Sequence, residues 1–538
     1  QEFRQLYFYW PFLADGAAAF DPDNLPASTL RIEVSEIDGL TRRSTVISDA
    51  YSDFNSNNSF TNAEFENREG GIHPDHHYVT TFKHDEATGE FSLLVVNDGG
   101  IYYAETSANP SETDGTFEYA GFGYNTSQFY GADKRKGMDQ YIGGMQDNST
   151  WYTPLDQQAN AETQYKFAVG GDGFEALWNK ADANKMMGSI QFNAFRRSLD
   201  GGRTWSVATN GLTNTGNGNG APFISRLSNH PDNPDRVYAL GADGIWISED
   251  WGGDWELTPI TENYSIRGDN EVKISIADPN IVWTGGAMVE TSRVFVSTDA
   301  GQTFNVVPNF TDVTLGSLTG IATHPTEPNT AYVIFSISDT PKILRTTDLG
   351  QTWEDISGFG LNDESDNGFP DVAVYSLLVF PWDTDRLWAG TEIGIFESLD
   401  NGENWALLDC NLPATAVWQM LLVDDQVVIA THGRGIWTAS FPEQVVVTPA
   451  ILNAYTSIES DLALQVSLQE DFDSVEVYID GVLQGVVDDP ASGIGSISID
   501  FNNDGEIDVQ IIGYIGGQAV ESNELSTTFR SFGDVADS

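Results

Sequence analysis

One short phrase recurs five times and constrains the fold more than any other feature of the chain. It reads Ser198-Leu-Asp-Gly-Gly-Arg-Thr-Trp205, Ser248-Glu-Asp-Trp-Gly-Gly-Asp-Trp255, Ser297-Thr-Asp-Ala-Gly-Gln-Thr-Phe304, Thr346-Thr-Asp-Leu-Gly-Gln-Thr-Trp353 and Ser398-Leu-Asp-Asn-Gly-Glu-Asn-Trp405. Its aspartates, Asp200, Asp250, Asp299, Asp348 and Asp400, follow one another at intervals of 49–52 residues. A fixed period in this range marks a repeat architecture. An Asp carboxylate can accept backbone N–H bonds and Gly tolerates positive φ, so the phrase describes a tight β-hairpin turn. The Ser or Thr ends one strand and the aromatic opens the next. The five aspartates are therefore expected to be structural.

These phrases resemble Asp-box (BNR) repeats, which are similar in sialidases, sortilin-type Vps10 propellers and xyloglucan-cleaving glycoside hydrolases. Other stretches resemble secreted bacterial BNR-repeat proteins of the Bacteroidota, often labelled glycosyl hydrolases. They are His73-Pro-Asp-His-His77, Asn97-Asp-Gly-Gly-Ile-Tyr102, Gly143-Gly-Met-Gln-Asp-Asn148, Gly170-Gly-Asp-Gly-Phe174 and Thr431-His-Gly-Arg-Gly-Ile-Trp437. The resemblance covers roughly residues 70–441. It implies an all-β fold, an Asp-box β-propeller with ligands at the central channel mouth, on the face opposite the boxes. One fold hosts many activities, so activity has to come from the site.

Blade counting gives eight, with seven as the alternative. The first blade starts at His76, the second spans Ser127 to about Gln164, the third to seventh carry the boxes, and the eighth is Val417–Phe441. The eighth lacks an outer strand, which the N-terminal segment could supply through Thr29–Val34, closing the ring and removing sheet edges. Residues 1–70 are otherwise loop-rich. Residues 442–449 read as a linker, and 450–530 as an Ig-like β-sandwich with a hairpin turn at Asp480-Gly481. The tail 531–538 reads as disordered.

The chain has 25 Lys and Arg against 80 Asp and Glu, a net charge of −55. Such a surface argues against nucleic acid or an anionic membrane as partner. Cys410 is the lone cysteine, so no intrachain disulfide exists, which a core of this size does not require. No run of 18 apolar residues is present to span a membrane. The chain opens at Gln1 without Met and reads as processed or trimmed. These features suit a secreted or cell-surface protein, including one held in a larger surface or secretion complex.

Successive strands of a blade run antiparallel. Turns between strands one and two, and three and four, therefore share one end of the ring. Turns between strands two and three share the other end with the blade-to-blade crossovers. That second end receives His73, Asp75, His76 and His77, then Asp98, Tyr124, Asn125, Gln146, Asp147, Asn148 and Asp172. Later blades add Asp243, Glu290, Glu392, His432 and Arg434. Two chemistries fit. Paired carboxylates among Asp98, Asp147 and Asp172 could act as general acid and base on a glycosidic bond. His73, Asp75, His76 and His77 beside Asp98 could hold a divalent metal. Ordinary hairpin chemistry accounts for the same Asp-Gly turns.

Ligand contacts are expected from His73, Asp75, His76, Tyr124, Gln146, Asn148, His432 and Arg434. The sequence lacks the Phe-Arg-Ile-Pro motif and arginine triad of sialidases, the second propeller of xyloglucanases and the cysteine-rich module of sortilins. The balance favours recognition of a polysaccharide or a surface protein, with glycoside hydrolysis or polysaccharide lysis as the alternative. Calcium is the one cofactor suggested. Asp500-Phe-Asn-Asn-Asp504-Gly505 carries oxygen ligands at alternate positions before a Gly, with Asp508 beyond, so Asp500, Asn502, Asp504 and Asp508 could bind Ca²⁺. An acidic hairpin turn is the competing reading.

Overall fold

Each repeat forms a four-stranded antiparallel meander in the computed structural model. The structure describes residues 76–441 with short breaks, the longest at 108–116 and 121–125, most of 450–529, and three N-terminal strands. The chain divides into two compact units, Gln1–Phe441 and Pro442–Ser538. Among the described residues there is no α-helix, only a 3-10 turn at Gln191–Asn193. No helix among the described residues is long and apolar enough to cross a membrane.

Eight meanders follow in chain order. The first comprises His76–Asp85, Glu90–Asn97, Gly100–Ser107 and Phe117–Tyr119. The leading strands of the next seven are Phe129–Lys134, Ala176–Trp178, Leu227–Asn229, Glu271–Ile274, Gly316–Thr323, Val374–Phe380 and Ala416–Val423. These leading strands pack each on the next, and Ala416–Val423 packs back on Phe129–Lys134. Cyclic packing of four-stranded sheets is the architecture of a β-propeller. The core lies between successive sheets. One cluster joins Phe129, Tyr141 and Phe167 of the second sheet to Val428, Ala430 and Ile436 of the eighth. The fifth and sixth sheets are also joined by strand pairing, through Ala287 with Ser317 and Met288 with Gly316.

Two expectations are corrected here. The outer strand of the eighth sheet is Phe3–Leu6, which pairs with Ile436–Ala439. The segment expected in that place, Thr29–Val34, falls largely in the strand Leu30–Ser35, which pairs with Arg42–Ser48 instead. A partner a few residues away costs far less loop entropy than one four hundred residues distant. The count of eight blades also put the first sheet next to the eighth. The eighth packs on the second, because the apolar residues it buries, Val428, Ala430 and Ile436, meet Phe129 and Phe167 there.

The second unit has a three-stranded sheet of Ala450–Thr456, Leu462–Leu468 and Gly493–Ile499, and a five-stranded sheet built on Ser474–Ile479 and Gly505–Ile515. The hairpin after Ser474–Ile479 turns at Asp480 and Gly481, with φ of 51° and 75°. Two successive positive φ values match the right-handed twist of the flanking strands, and Asp-Gly tolerates them. The tail 531–538 lies outside the described residues.

Candidate functional site

The two ends of the ring are built differently. At the box end each repeated phrase turns the chain between third and fourth strands. Asp299 Oδ1 accepts the Thr303 amide at 2.8 Å and the Ser297 hydroxyl at 2.7 Å, while Oδ2 accepts the Thr303 hydroxyl at 2.6 Å. Ser297 Oγ in turn accepts the Gly301 amide at 2.9 Å. Asp200, Asp348 and Asp400 repeat this set with Thr204, Thr352 and Asn404. Asp250 accepts the amides of Gly253 and Asp254, each at 2.9 Å. In Asp200, Asp250 and Asp299 burial pushes the carboxyl up, but these hydrogen bonds outweigh it and the net shift is downward. The residue after each Asp is left-handed, and its amide donates to the first-to-second-strand turn of the same sheet, as Ala300 does to the Asn280 carbonyl at 2.7 Å. The box indoles staple neighbouring sheets: Trp255, Trp353 and Trp405 Nε1 donate to the carbonyls of Ala208, Pro308 and Ile356. The Asp carboxylate and the Ser or Thr hydroxyl of each phrase are spent on the turn.

At the crossover end, the turn 145–149 of the second sheet holds Asp147 at φ 62° and Ser149 at φ 68°. Asp172 Oδ1 accepts the Asp147 amide at 3.1 Å, and the Asp172 amide donates to Gln191 Oε1 at 3.2 Å. Asp147 and Asp172 are thus neighbours, with one Asp172 oxygen engaged in shaping the other's turn. Asn148 Nδ2 donates to the Asp98 carbonyl at 2.9 Å, which ties the first sheet's turn to the second's. The Asp98 carboxylate pairs with His77 Nε2. Gln146 Oε1 accepts the Tyr130 hydroxyl at 2.9 Å.

Inside these turns, the beginnings of the leading strands bring together side chains that motif reasoning missed. Tyr130, Glu175, Arg226, Glu271, Tyr375 and Trp418 each stand at or just before the start of a different leading strand. On one side they form an aromatic arc. Tyr375 stacks on Trp418 with centroids 4.6 Å apart, Trp418 meets Tyr130 at 4.9 Å, and Tyr130 meets Phe174 at 5.1 Å. Phe174 continues to Phe223 at 5.5 Å and Phe223 to Phe192 at 5.4 Å. Phe223 is 44% exposed. Phe192 and Asn193 hold φ of 60° and 56°, a conformation that costs non-glycine residues of order 1–3 kcal/mol and that clusters at functional sites. Asn193 Nδ2 secures the turn by donating to the carbonyls of Asn214 and Leu240, at 3.0 and 2.8 Å.

On the other side lies an ionic cluster. Glu175 and Arg226 are only 5% and 7% exposed and pair at 3.5 Å. Gln419 reaches from the eighth sheet to bond Glu175, and its Oε1 accepts the Ala132 amide at 2.8 Å. Burial pushes the Glu175 carboxyl up to about 7, against the pull of Arg226, Lys273 and Gln419 and with the push of Glu271. The repeats did offer a clue: a buried residue followed by a large polar or aromatic one, as in Phe129-Tyr130, Phe174-Glu175, Val374-Tyr375 and Val417-Trp418.

The remaining candidates are dispersed. His432 ends the second strand of the eighth sheet and meets Tyr130 and Trp418, each at 5.1 Å. Burial lowers its imidazole below the usual range. Arg434 lies in the adjoining turn, its amide donating to Thr431 Oγ1 at 3.1 Å. Asp243 Oδ2 accepts Asn214 Nδ2 at 2.8 Å, and Glu392 Oε1 accepts the Ala373 amide at 3.2 Å. His76 begins the first strand of its sheet. Asp508 is exposed on Gly505–Ile515, its amide donating to Asp480 Oδ1 at 2.9 Å. His73, Asp75, Tyr124, Asn125, Glu290, Asp500, Asn502 and Asp504 lie outside the described residues. Among the described residues no group of three or more His, Cys, Asp or Glu is placed to hold a metal ion.

No protein-family model and no curated protein matches the sequence. Solved structures similar to the chain include an ancestral GH74 enzyme, at 12% identity and TM-score 0.44, covering 73% of this chain and 59% of that one. YCF48 from Cyanidioschyzon merolae matches at 13% identity and TM-score 0.43, covering 60% and 98%. The extracellular domain of the hybrid two-component system BT4673 from B. thetaiotaomicron matches at 12% identity and TM-score 0.42, covering 82% and 62%. The chain therefore spans about three-fifths of the length of the first and third. At such identities and scores these likenesses carry no argument for activity, ligand or partner.

Proposed function

We propose that the chain is a secreted or cell-surface recognition protein whose crossover end binds a polysaccharide or a surface protein partner, with no role in nucleic-acid binding. Its ring is read as seven-bladed, from the second to the eighth sheet, with the first sheet beside it. The observation that carries the reading is the arc from Phe223 through Tyr130 to Tyr375, aromatic faces gathered where the leading strands begin. Aromatic faces stack on sugar rings and on planar side chains alike, and they are enriched at binding hot spots. Gln146 and His432, which touch Tyr130, and Asn148 and Arg434 are taken as further ligand contacts. The two sheets of the second unit are read as an Ig-like sandwich serving as spacer or anchor. Its loop at Asp500, Asn502 and Asp504, with Asp508, is the proposed calcium site.

The test compares the parent protein with Trp418→Ala. Retardation in gels containing soluble polysaccharides, and calorimetric titration with peptides, are measured for both. Binding lost in the variant supports the reading. Equal binding by both proteins, or none to either class of probe, rejects it.

A second reading, glycoside hydrolysis, draws on Glu175. A carboxyl pushed up to about 7 beside Glu271 is in the range of a general acid at neutral pH. Asp98, Asp147 and Asp172 would then be the accompanying carboxylates. Asp147→Asn and Asp172→Asn should each lower turnover by orders of magnitude without unfolding the ring. Unchanged turnover in both, on a polysaccharide that the parent cleaves, removes them from the mechanism.

A further inference from the structure

The two ends of the ring both carry carboxylates but place their cations differently. Toward the box end, Lys180, Lys185, Arg236, Arg345 and Arg386 each pair with a carboxylate. At the crossover end the turns carry Asp147, Asp172, Asp243, Asp339 and Glu392, the last three of them exposed. Cations at that end are largely withdrawn from solvent. Lys342 is fully buried against Asp371, and Arg226 is buried against Glu175. Among the described residues Lys273, Arg293 and Arg434 are half-buried there. The same end exposes Phe223, Ile337 and Ile393, at 44%, 38% and 42%, around the half-buried Tyr375 and Trp418.

An aromatic floor inside an acidic rim suits a cation. A guanidinium or ammonium group gains from a π-face and from carboxylates together. A neutral sugar can hydrogen-bond the rim but gains no net charge attraction from it, and an anionic polymer is repelled by it. The exposed apolar residues spread the surface beyond the reach of a single small cation and suit a chain segment with side chains of both kinds. We infer that the crossover end docks a lysine- or arginine-bearing peptide segment of a partner protein, with a cationic side chain over the Tyr375–Trp418 pair. The inference rests on the recognition reading above and selects between its two partner classes. The acidic rim steers such a segment at long range, so binding weakens as salt screens it.

The experiment uses the full chain and three probes of matched length: an Arg/Lys-containing peptide, the same peptide with Gln in place of its cations, and a neutral oligosaccharide. Calorimetry at 50 and 500 mM NaCl gives Kd for the parent, for Trp418→Ala, for Tyr375→Leu and for the rim variant Asp147→Asn/Asp339→Asn/Glu392→Gln. Melting temperature checks the fold of each. The expected result is binding of the cationic peptide only, weakened at least tenfold by high salt. At least a tenfold loss is expected in whichever aromatic variant retains the parent's melting temperature, and a smaller loss in the rim variant. Cationic-peptide binding that survives both aromatic substitutions is diffuse attraction to an acidic surface and overturns the inference. Oligosaccharide binding that is insensitive to salt and lost in Trp418→Ala overturns it too, while leaving the recognition reading intact. If no probe binds the parent protein, both fall.

Discussion

Asp348 at the box end and Glu175 at the crossover end show two opposite treatments of a carboxylate in one ring. Asp348 faces solvent, and the Thr352 hydroxyl, with the Thr352 amide and the Thr346 hydroxyl, holds it below the ordinary carboxylate range against slight burial. Glu175 is enclosed, and burial drives it up to about 7 despite Arg226. The first arrangement spends a charge on closing a turn and leaves nothing for a ligand. The second keeps a charge where keeping it is costly. Five sheets can share the first solution because it is local, and each copy needs only eight consecutive residues. The second is assembled from strands about fifty residues apart, as is the pairing of the buried Asp133 with Lys180.

The contrast is sharpest if the buried pair is broken. Arg226→Ala leaves Glu175 without its partner and should cost about 3–5 kcal/mol at pH 8, measured by denaturant unfolding. The loss should shrink at pH 5, where Glu175 takes up a proton and no charge is stranded. A loss independent of pH would mean that the pair is not coupled as described.

Next in size is the pH response of Glu175 itself. Its folded value of about 7 lies above the unfolded reference of 4.5. The stability it contributes is therefore present below the unfolded value and lost as pH rises through about 7. Glu175→Gln should gain on the parent by roughly 2–3 kcal/mol between pH 5 and pH 8. Identical pH profiles for the two proteins would remove Glu175 from the buried set. The boxes respond in the other direction: carboxyls held low contribute stability above their unfolded value, and it is lost as pH falls through the folded one.

Asp299→Ala or Asp348→Ala should lower stability by about 1–3 kcal/mol through unsatisfied turn groups, with ligand binding by the folded fraction unchanged. A box variant of full stability that no longer binds would erase the distinction between the two ends. The smallest effect concerns the second unit. Millimolar calcium should raise its melting transition by mass action, and magnesium should do so less. If calcium acts no more strongly than NaCl of matched ionic strength, the proposed site does not exist.

The box end was legible from sequence because its chemistry is local. Asp, Gly and Thr lie within five residues of one another, and Asp480-Gly481 marked its hairpin for the same reason. The ring's closure was legible in part: an N-terminal strand was expected at the eighth sheet, but not which one. Phe3–Leu6 carries no turn phrase, and what brings it beside Ile436–Ala439 is a position four hundred residues later. The crossover end was read halfway. Turn residues such as Asp147, Asp172 and Gln146 were placed there, and Asp147 and Asp172 meet. Attention to polar turns passed over Tyr130, Tyr375 and Trp418, because an aromatic on a strand looks like core until its neighbours on other sheets are known. Glu175 and Arg226 have no motif at all; their pairing is a product of the ring.

The strand Phe3–Leu6 has a consequence for the order of events when the protein is made. Its partner Ile436–Ala439 emerges about 430 residues later, so Phe3–Leu6 has no sheet to join during most of synthesis. Joining ends that far apart carries a loop entropy cost of roughly 5 kcal/mol, recovered only when the strand locks in. Contacts of such long separation form late and slowly. Until then the ring is an open arc with a bare edge, the form most prone to pair with another molecule. A chain built this way remains threadable and unfinished until its far end is available, and then closes in a single late step.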